Sequence, residues 1–311
     1  MDAESHAASL QETLRSAGAG SGAVACRTGR YGLAVSAWGD VRTTSVFEGG
    51  SVTKAITGLL LALAIHAGEV SSSDRLDGFL PGTGDAGSAT LAELATHSSG
   101  LPRLGAAALV RSLAHPRDPY HGVSLHRLIR DARLARLRRR GETAYSNLGV
   151  ALLGQALAAA AGLSYWELAR TRVLIPLGMT SSGDLPRSVL AAPDTAWDLG
   201  AYAPAGGLRA TVDDLLQLAW VAARPDESPF PAAAADALTP HAAMANDHVG
   251  WCWMLTPQAG NLVAWHNGAT GSGWAFVGAT GSCAIAACLP TRRQAAFDAA
   301  AMQALAAADE R

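Results

Sequence analysis

The sequence predicts an α+β fold, with a central antiparallel sheet flanked by helices and an all-helical lobe inserted into it. Strand-like runs occupy both ends of the chain, over 22–48 and 249–289, whereas the stretch from about 52 to 200 reads as helices rich in Ala, Leu and Arg. No linker and no fixed-period repeat divides these blocks, so they share one core. Residues 1–50 and 200–311 are expected to form a discontinuous sheet lobe, and 51–199 the helical lobe, within one compact unit.

The elements follow in order. The N-terminal segment reads as a short amphipathic helix with Leu10 and Leu14 on one face. Strands are expected at 23–26, 33–38 and 43–47, the first two joined by a turn at Thr28-Gly29-Arg30. Helices are expected at 52–66, 90–97, 123–137, 145–160 and 164–171, punctuated by Pro81-Gly82, Gly100, Pro102 and Pro116. A further helix, 211–222, starts after Thr211 with Asp213 and Asp214 in its first turn, an N-cap arrangement. Strands then return at 249–255, 262–266, 273–279 and 282–289, and a helix over 292–308 closes the chain.

Composition narrows the function. The 311 residues are 49% hydrophobic, with mean hydropathy +0.15, enough for a sizeable core. A net charge of −2 argues against a nucleic-acid binder. The first residues are acidic and lack an apolar run, and Ala55–Ala67 is too short to span a bilayer. A cytoplasmic protein, with neither nucleic-acid nor membrane partner, is the expectation. Cys26, Cys252, Cys283 and Cys288 form no CxxC and no metal spacing with His. The histidines at 97, 115, 121 and 126 fit no zinc pattern and read as surface and loop residues. Neither a metal nor a cofactor is expected.

Lysine occurs once, at Lys54, against 23 arginines. A GC-rich genome accounts for the arginines, and a lone lysine then marks a place where arginine does not serve. An ammonium loses its proton near neutrality when desolvated; a guanidinium does not.

Lys54 falls in Gly49-Gly50-Ser51-Val52-Thr53-Lys54, where strands give way to an apolar helix. Lys54 lies at i+3 from Ser51, hence on the same helix face and within reach of its hydroxyl. A buried lysine of depressed pKa accepts a serine proton. The alternative is an N-cap serine with an exposed lysine. A second segment, Glu142-Thr143-Ala144-Tyr145-Ser146-Asn147, enters another apolar helix. A tyrosine beside a lysine can share its proton, and an asparagine can bond a substrate amide; the alternative is a helix cap at Ser146 or Asn147. A third, Trp265-His266-Asn267-Gly268-Ala269, ends an apolar strand, where a glycine permits close backbone approach and a hairpin is the alternative.

The order and spacing of these three segments resemble the S-x-x-K, S-D-N and K-T-G elements of serine β-lactamases and penicillin-binding proteins. Here the second and third read Y-S-N and H-N-G. Residues 94–102 (LATHSSGLP), 176–179 (PLGM) and 205–215 (AGGLRATVDDL) are likewise similar to blocks of the class C β-lactamase family. That family also holds D-Ala-D-Ala carboxypeptidases and family VIII esterases. The resemblance runs from about 22 to 305. It implies a β-lactamase-like fold with the active site between the lobes, Ser51 as nucleophile, and Lys54 as its base. Tyr145 would work with Lys54 in a proton relay, and the Ser51 and Ala269 backbone N–H groups would form the oxyanion hole. Asn147, His266, Asn267 and Gly268 would contact substrate.

His266 stands where β-lactamases usually carry Lys, and histidine is a poorer permanent cation at pH 7. The expectation is therefore a serine acyl-transfer enzyme that hydrolyses a small ester, amide or thioester. An acyltransferase delivering the acyl group to an amine or alcohol is the alternative, and a non-catalytic acyl sensor is the alternative of another class. The arginine-rich stretch Arg127–Arg140 is either a solvated helix face or a docking surface for an acidic carrier protein bearing a thioester. Trp251, Trp253, Trp265 and Trp274 either fill the core or line an aromatic acyl pocket.

Overall fold

The computed structural model describes residues 2–29, 32–115, 118–258, 261–281, 283–291 and 295–309. Helix α1 (Ala3–Ser16) leads to strands β1 (Gly22–Thr28), β2 (Gly32–Trp38) and β3 (Phe47–Gly50). The helical part follows, with α2 (Thr53–His66), α3 (Leu91–Ala95), α4 (Ala106–Ala114), α5 (Leu125–Leu134), α6 (Asn147–Ala161) and α7 (Tyr165–Ala169). Next come α8 (Ala203–Gly206), β4 (Leu208–Ala210), α9 (Val212–Ala223) and α10 (Pro231–Ala237). The chain finishes with β5 (Ala242–Met244), β6 (Asp247–Val249), β7 (Met254–Gln258), β8 (Asn261–Ala269), β9 (Trp274–Thr280), β10 (Cys283–Leu289) and α11 (Ala295–Asp309).

Eight strands form one antiparallel sheet in the order β2-β1-β10-β9-β8-β7-β6-β5, so the two ends of the chain meet where β1 pairs with β10. Both faces of this sheet are covered, which explains why its central strands are apolar throughout rather than alternating. One face packs on α1 and α11: Val24, Cys26, Phe276, Ile285 and Leu289 meet Leu10, Leu14, Phe297 and Leu305. The other face carries small side chains, among them Ala23, Ala25, Ala275, Ala279, Ala284 and Ala286, and joins the larger core around α2, α6 and α9. Alanines there let α9 lie close against β1, β9 and β10.

Three expectations change. The third early strand is β3, beginning at Phe47 rather than 43, and it pairs with β4 in a separate two-stranded ladder. The strand expected over 249–255 is broken into β6 and β7. Between them the backbone dips onto α2, where a Cβ on Gly58 would stand 1.7 Å from the Trp251 carbonyl oxygen. Cys252 takes a left-handed φ of 60° there, and its N–H donates to the Ala95 carbonyl. Finally, α4 and α10 lie in segments assigned no element from sequence. Arg30, Pro116 and the start of the helix expected from 292 fall outside the described residues. Among the described residues, no single helix is long and apolar enough to cross a membrane.

Candidate active site

Strand β3 delivers the chain to α2 through Gly50, whose φ of +50° is left-handed and suits glycine. Ser51 and Val52 turn into the helix without a side-chain cap. The Thr53 hydroxyl donates to the Gly50 carbonyl (2.6 Å) and accepts from the Leu208 N–H (3.0 Å), bolting the turn to β4. Lys54 is fully buried. Its Nζ donates to Ser51 Oγ at 2.9 Å and to the Ala205 carbonyl at 2.5 Å. A capping serine with an exposed lysine is therefore not what forms. Burial, aided by the charge of Arg103 and opposed by Cys252, lowers the Lys54 pKa to about 7.

Tyr145 precedes α6. It is buried, which raises the phenol's pKa, against the opposing effects of the neighbouring Ser51 side chain and of Arg103. Lys54 Nζ lies 5.0 Å and the Arg103 guanidinium 5.3 Å from the centre of the Tyr145 ring. Ser146 is a cap: its hydroxyl accepts from the Gly149 N–H (2.9 Å) and donates to the Pro102 carbonyl (2.7 Å). Asn147 donates through Nδ2 to the Tyr120 hydroxyl (2.9 Å), while its buried Oδ1 accepts no hydrogen bond among the described residues.

His97, expected among surface and loop histidines, is buried beneath Tyr145, with ring centres 4.6 Å apart. Its Nδ1 accepts from the Ser146 N–H (3.3 Å) and its carbonyl from the Ala144 N–H (2.8 Å), so it holds the tyrosine's loop. Burial and the neighbouring Lys54, His266 and Arg103 lower its pKa to about 3, which keeps the ring neutral.

Strand β8 closes the other side. A Cβ on Gly268 would lie 1.9 Å from the Gly49 carbonyl oxygen and 2.9 Å from the Ser51 nitrogen. One on Gly50 would lie 2.8 Å from the Ala269 nitrogen. The two backbones thus touch, which only glycine allows at both positions, and the amides of Ser51 and Ala269 are brought together. His266 is buried, its Nδ1 2.7 Å from the Asn267 carbonyl, with its ring centre 6.3 Å from that of Tyr145. Asn267, expected at the substrate, points the opposite way: strand alternation turns its Nδ2 onto Asp298 of α11 (2.8 Å). Its side chain is thus turned away from those of Lys54, Tyr145 and His266.

The four tryptophans do not line the cavity either. Trp253 and Trp274 are fully buried in the two cores, Trp251 stacks on His241, and Trp265 stacks on Phe276 while bonding Thr256. A cavity of about 260 Å³ opens at Ser51, walled by Arg103, Leu104, Tyr120, Asn147, Trp197 and Ala269. Arg103, Tyr120 and Trp197 escaped the sequence reading because they lie in irregular segments without periodicity. The only available signal was that Arg103 directly follows the 94–102 block. Glu48, buried beside the site, ties its walls together, accepting from the Ser272 hydroxyl (2.5 Å) and the Trp197 N–H (2.9 Å). Among the described residues, no group of three or more His, Cys, Asp or Glu side chains is placed to hold a metal ion.

The chain is 31% identical over 180 residues to the protein named beta-lactamase-like protein 2 of Dictyostelium discoideum, a match covering 55% of this chain and 31% of that one. The matched part is thus about a third of that relative's length. In three dimensions it resembles a class C β-lactamase from Rhodobacter sphaeroides, with TM-score 0.82, 19% identity, and coverage of 98% and 99% of the two chains. It is equally similar to a β-lactamase/D-alanine carboxypeptidase from Yersinia pestis, with TM-score 0.82, 19% identity, and coverage of 97% and 98%. The family model described as beta-lactamase matches residues 8–309, nearly the whole length, and the chain belongs to that family of serine hydrolases.

Proposed function

We propose that this protein hydrolyses a small ester or amide through an acyl-enzyme on Ser51. One observation carries the reading: a fully buried Lys54, with its pKa lowered to about 7, lies 2.9 Å from the Ser51 hydroxyl. The neutral amine takes the hydroxyl proton as Oγ bonds the substrate carbonyl carbon. The Ser51 and Ala269 N–H groups receive the charge that develops on the carbonyl oxygen. As the tetrahedral species collapses, the bond to the leaving alcohol or amine breaks, and Tyr145 passes that group the proton held at Lys54. Water then adds to the acyl carbon by the reverse relay, returning the proton to Ser51 and releasing the acid. The raised pKa of Tyr145 suits it to carry a proton in this path rather than to stand as a phenolate. Lys54 is the base.

The test is intact-protein mass followed over time with p-nitrophenyl acetate, for the wild type and Ser51→Ala, with and without an added amine. The expected result is an adduct of one acetyl group on the wild type alone, decaying in water. An adduct that persists until the amine arrives would make the protein an acyltransferase, and one that persists in both an acyl sensor. No adduct with this or longer acyl esters would overturn the reading.

A further inference from the structure

Beside Tyr145, a groove of about 910 Å³ runs between segments 100–109 and 134–145. Arg103, Arg136, Arg138 and Arg139 line it, against one acid, Glu142, which lies 3.6 Å from Arg139. Among the described residues, Arg103, Arg136 and Arg138 take part in no ion pair. Arg140, next in sequence, shows the contrast: it is engaged by Glu93 through Nε (2.7 Å) and Nη2 (2.6 Å), and by the Ser88 carbonyl. Exposed Leu109 and Leu134 give the same groove apolar surface.

Arg103 belongs to both spaces. It walls the groove, and among the described residues it is the one charged side chain lining the cavity at Ser51. It is exposed, and its guanidinium is positioned over the Tyr145 ring. Arg103 thus stands where the cavity at Ser51 adjoins the groove, so an acyl group esterified to Ser51 can extend its far end past Arg103 into the groove. The charge and the leucines together match a hydrocarbon stem ending in an anion. A planar guanidinium pairs with a carboxylate through two parallel hydrogen bonds.

We infer that this groove is the subsite for an anionic acyl tail, and that Arg103 makes the protein select acyl donors whose acyl part bears a terminal carboxylate. The inference rests on the Ser51 acyl-enzyme and names its substrate class.

Two esters of equal acyl length test it: the p-nitrophenyl monoester of glutaric acid, with a terminal carboxylate, and p-nitrophenyl valerate, without one. The expected wild-type kcat/KM favours the glutarate ester by about tenfold, the scale of one charge-assisted pair at a partly exposed site. That preference resides in KM and shrinks as salt rises. Arg103→Ala is expected to bring the ratio of the two esters to about one, and Arg103→Lys to restore part of it. Arg127→Ala, on the exposed face of α5 outside the groove, is expected to leave the ratio at its wild-type value. The inference is overturned if the wild type treats the esters equally or prefers valerate, or if Arg103→Ala slows both by the same factor and so keeps the ratio. Acylation of Ser51 by valerate without selectivity would sink the subsite and leave the hydrolase standing. Acylation by neither ester would remove both.

Discussion

Gly268 of β8 stands so close to Ser51 that a methyl group on it would lie 2.9 Å from the serine nitrogen. The sheet reaches Ser51 here through backbone alone. Gly268→Ala must push β8 outward and separate the amides of Ser51 and Ala269. Acylation of Ser51 is expected to fall by about 10²–10³, the cost of losing one oxyanion donor. Stopped-flow release of p-nitrophenol checks it, and wild-type acylation by the variant would show that these amides are not the donors.

The pH profile follows from Lys54. Below its pKa of about 7 the amine is protonated and cannot take the Ser51 proton. For an uncharged ester, kcat/KM is expected to rise about tenfold per pH unit up to about 7 and then level off. Lys54→Arg is expected to be inactive at every pH, because a guanidinium does not release its proton. An acid limb centred near 4 in the wild type would assign the base elsewhere.

The same shift carries a stability sign. Unfolded, Lys54 holds its proton up to about its ordinary 10.5, whereas in the native protein it releases it near 7. Unfolding between those values therefore takes up a proton, so this group's contribution to stability rises with pH across the window and is lost as pH falls through 7. Lys54→Met has no proton to exchange. It is expected to abolish acylation while unfolding at a higher temperature than the wild type, most clearly below pH 7. Calorimetry at pH 6 and pH 9 measures both arms, and a variant less stable than the wild type at pH 6 would contradict the argument.

Tyr145→Phe keeps the ring between Lys54, Arg103 and His97 and removes only the hydroxyl, which neighbours Ser51. Losing a positioned proton carrier is expected to cost about 10²–10⁴ in turnover. Tm is expected to stay within a few degrees, because a buried polar group leaves together with its bond. Amide substrates are expected to suffer more than p-nitrophenyl esters, whose leaving group needs no proton. Equal losses for both would remove Tyr145 from leaving-group protonation.

Asn267→Ala separates motif from geometry. The side chain bonds Asp298, which also accepts from the Trp274 indole (2.9 Å). The substitution is expected to lower stability by about 1 kcal/mol and to leave ester kinetics within twofold of the wild type. A KM effect larger than tenfold would return Asn267 to the substrate.

Most of the local structure was legible in the chain itself. Thr211 caps α9, as its position before two aspartates implied, and Ser146 caps α6. The i, i+3 spacing of Ser51 and Lys54 brought their side chains together at the start of α2, because the geometry of a helical turn is a property of neighbouring residues. Lys54 is marked in the sequence as the single lysine.

Tertiary structure decided the rest. Burial of Lys54, which brings its pKa toward neutrality, comes from α8 and the other segments packed around it. Sheet register turned Asn267 toward α11 while Gly268 faced Ser51. Packing against α2 broke the strand expected over 249–255 at Cys252. Arg103, Tyr120 and Trp197 meet at one cavity although up to 94 positions separate them, and the irregular segments carrying them have no period to read. Periodicity and capping act between residues a few positions apart, so the sequence by itself determined most helices, most strands and the pairing of Ser51 with Lys54; the walls of the site depend on which distant segments pack together, and only the folded chain decides that.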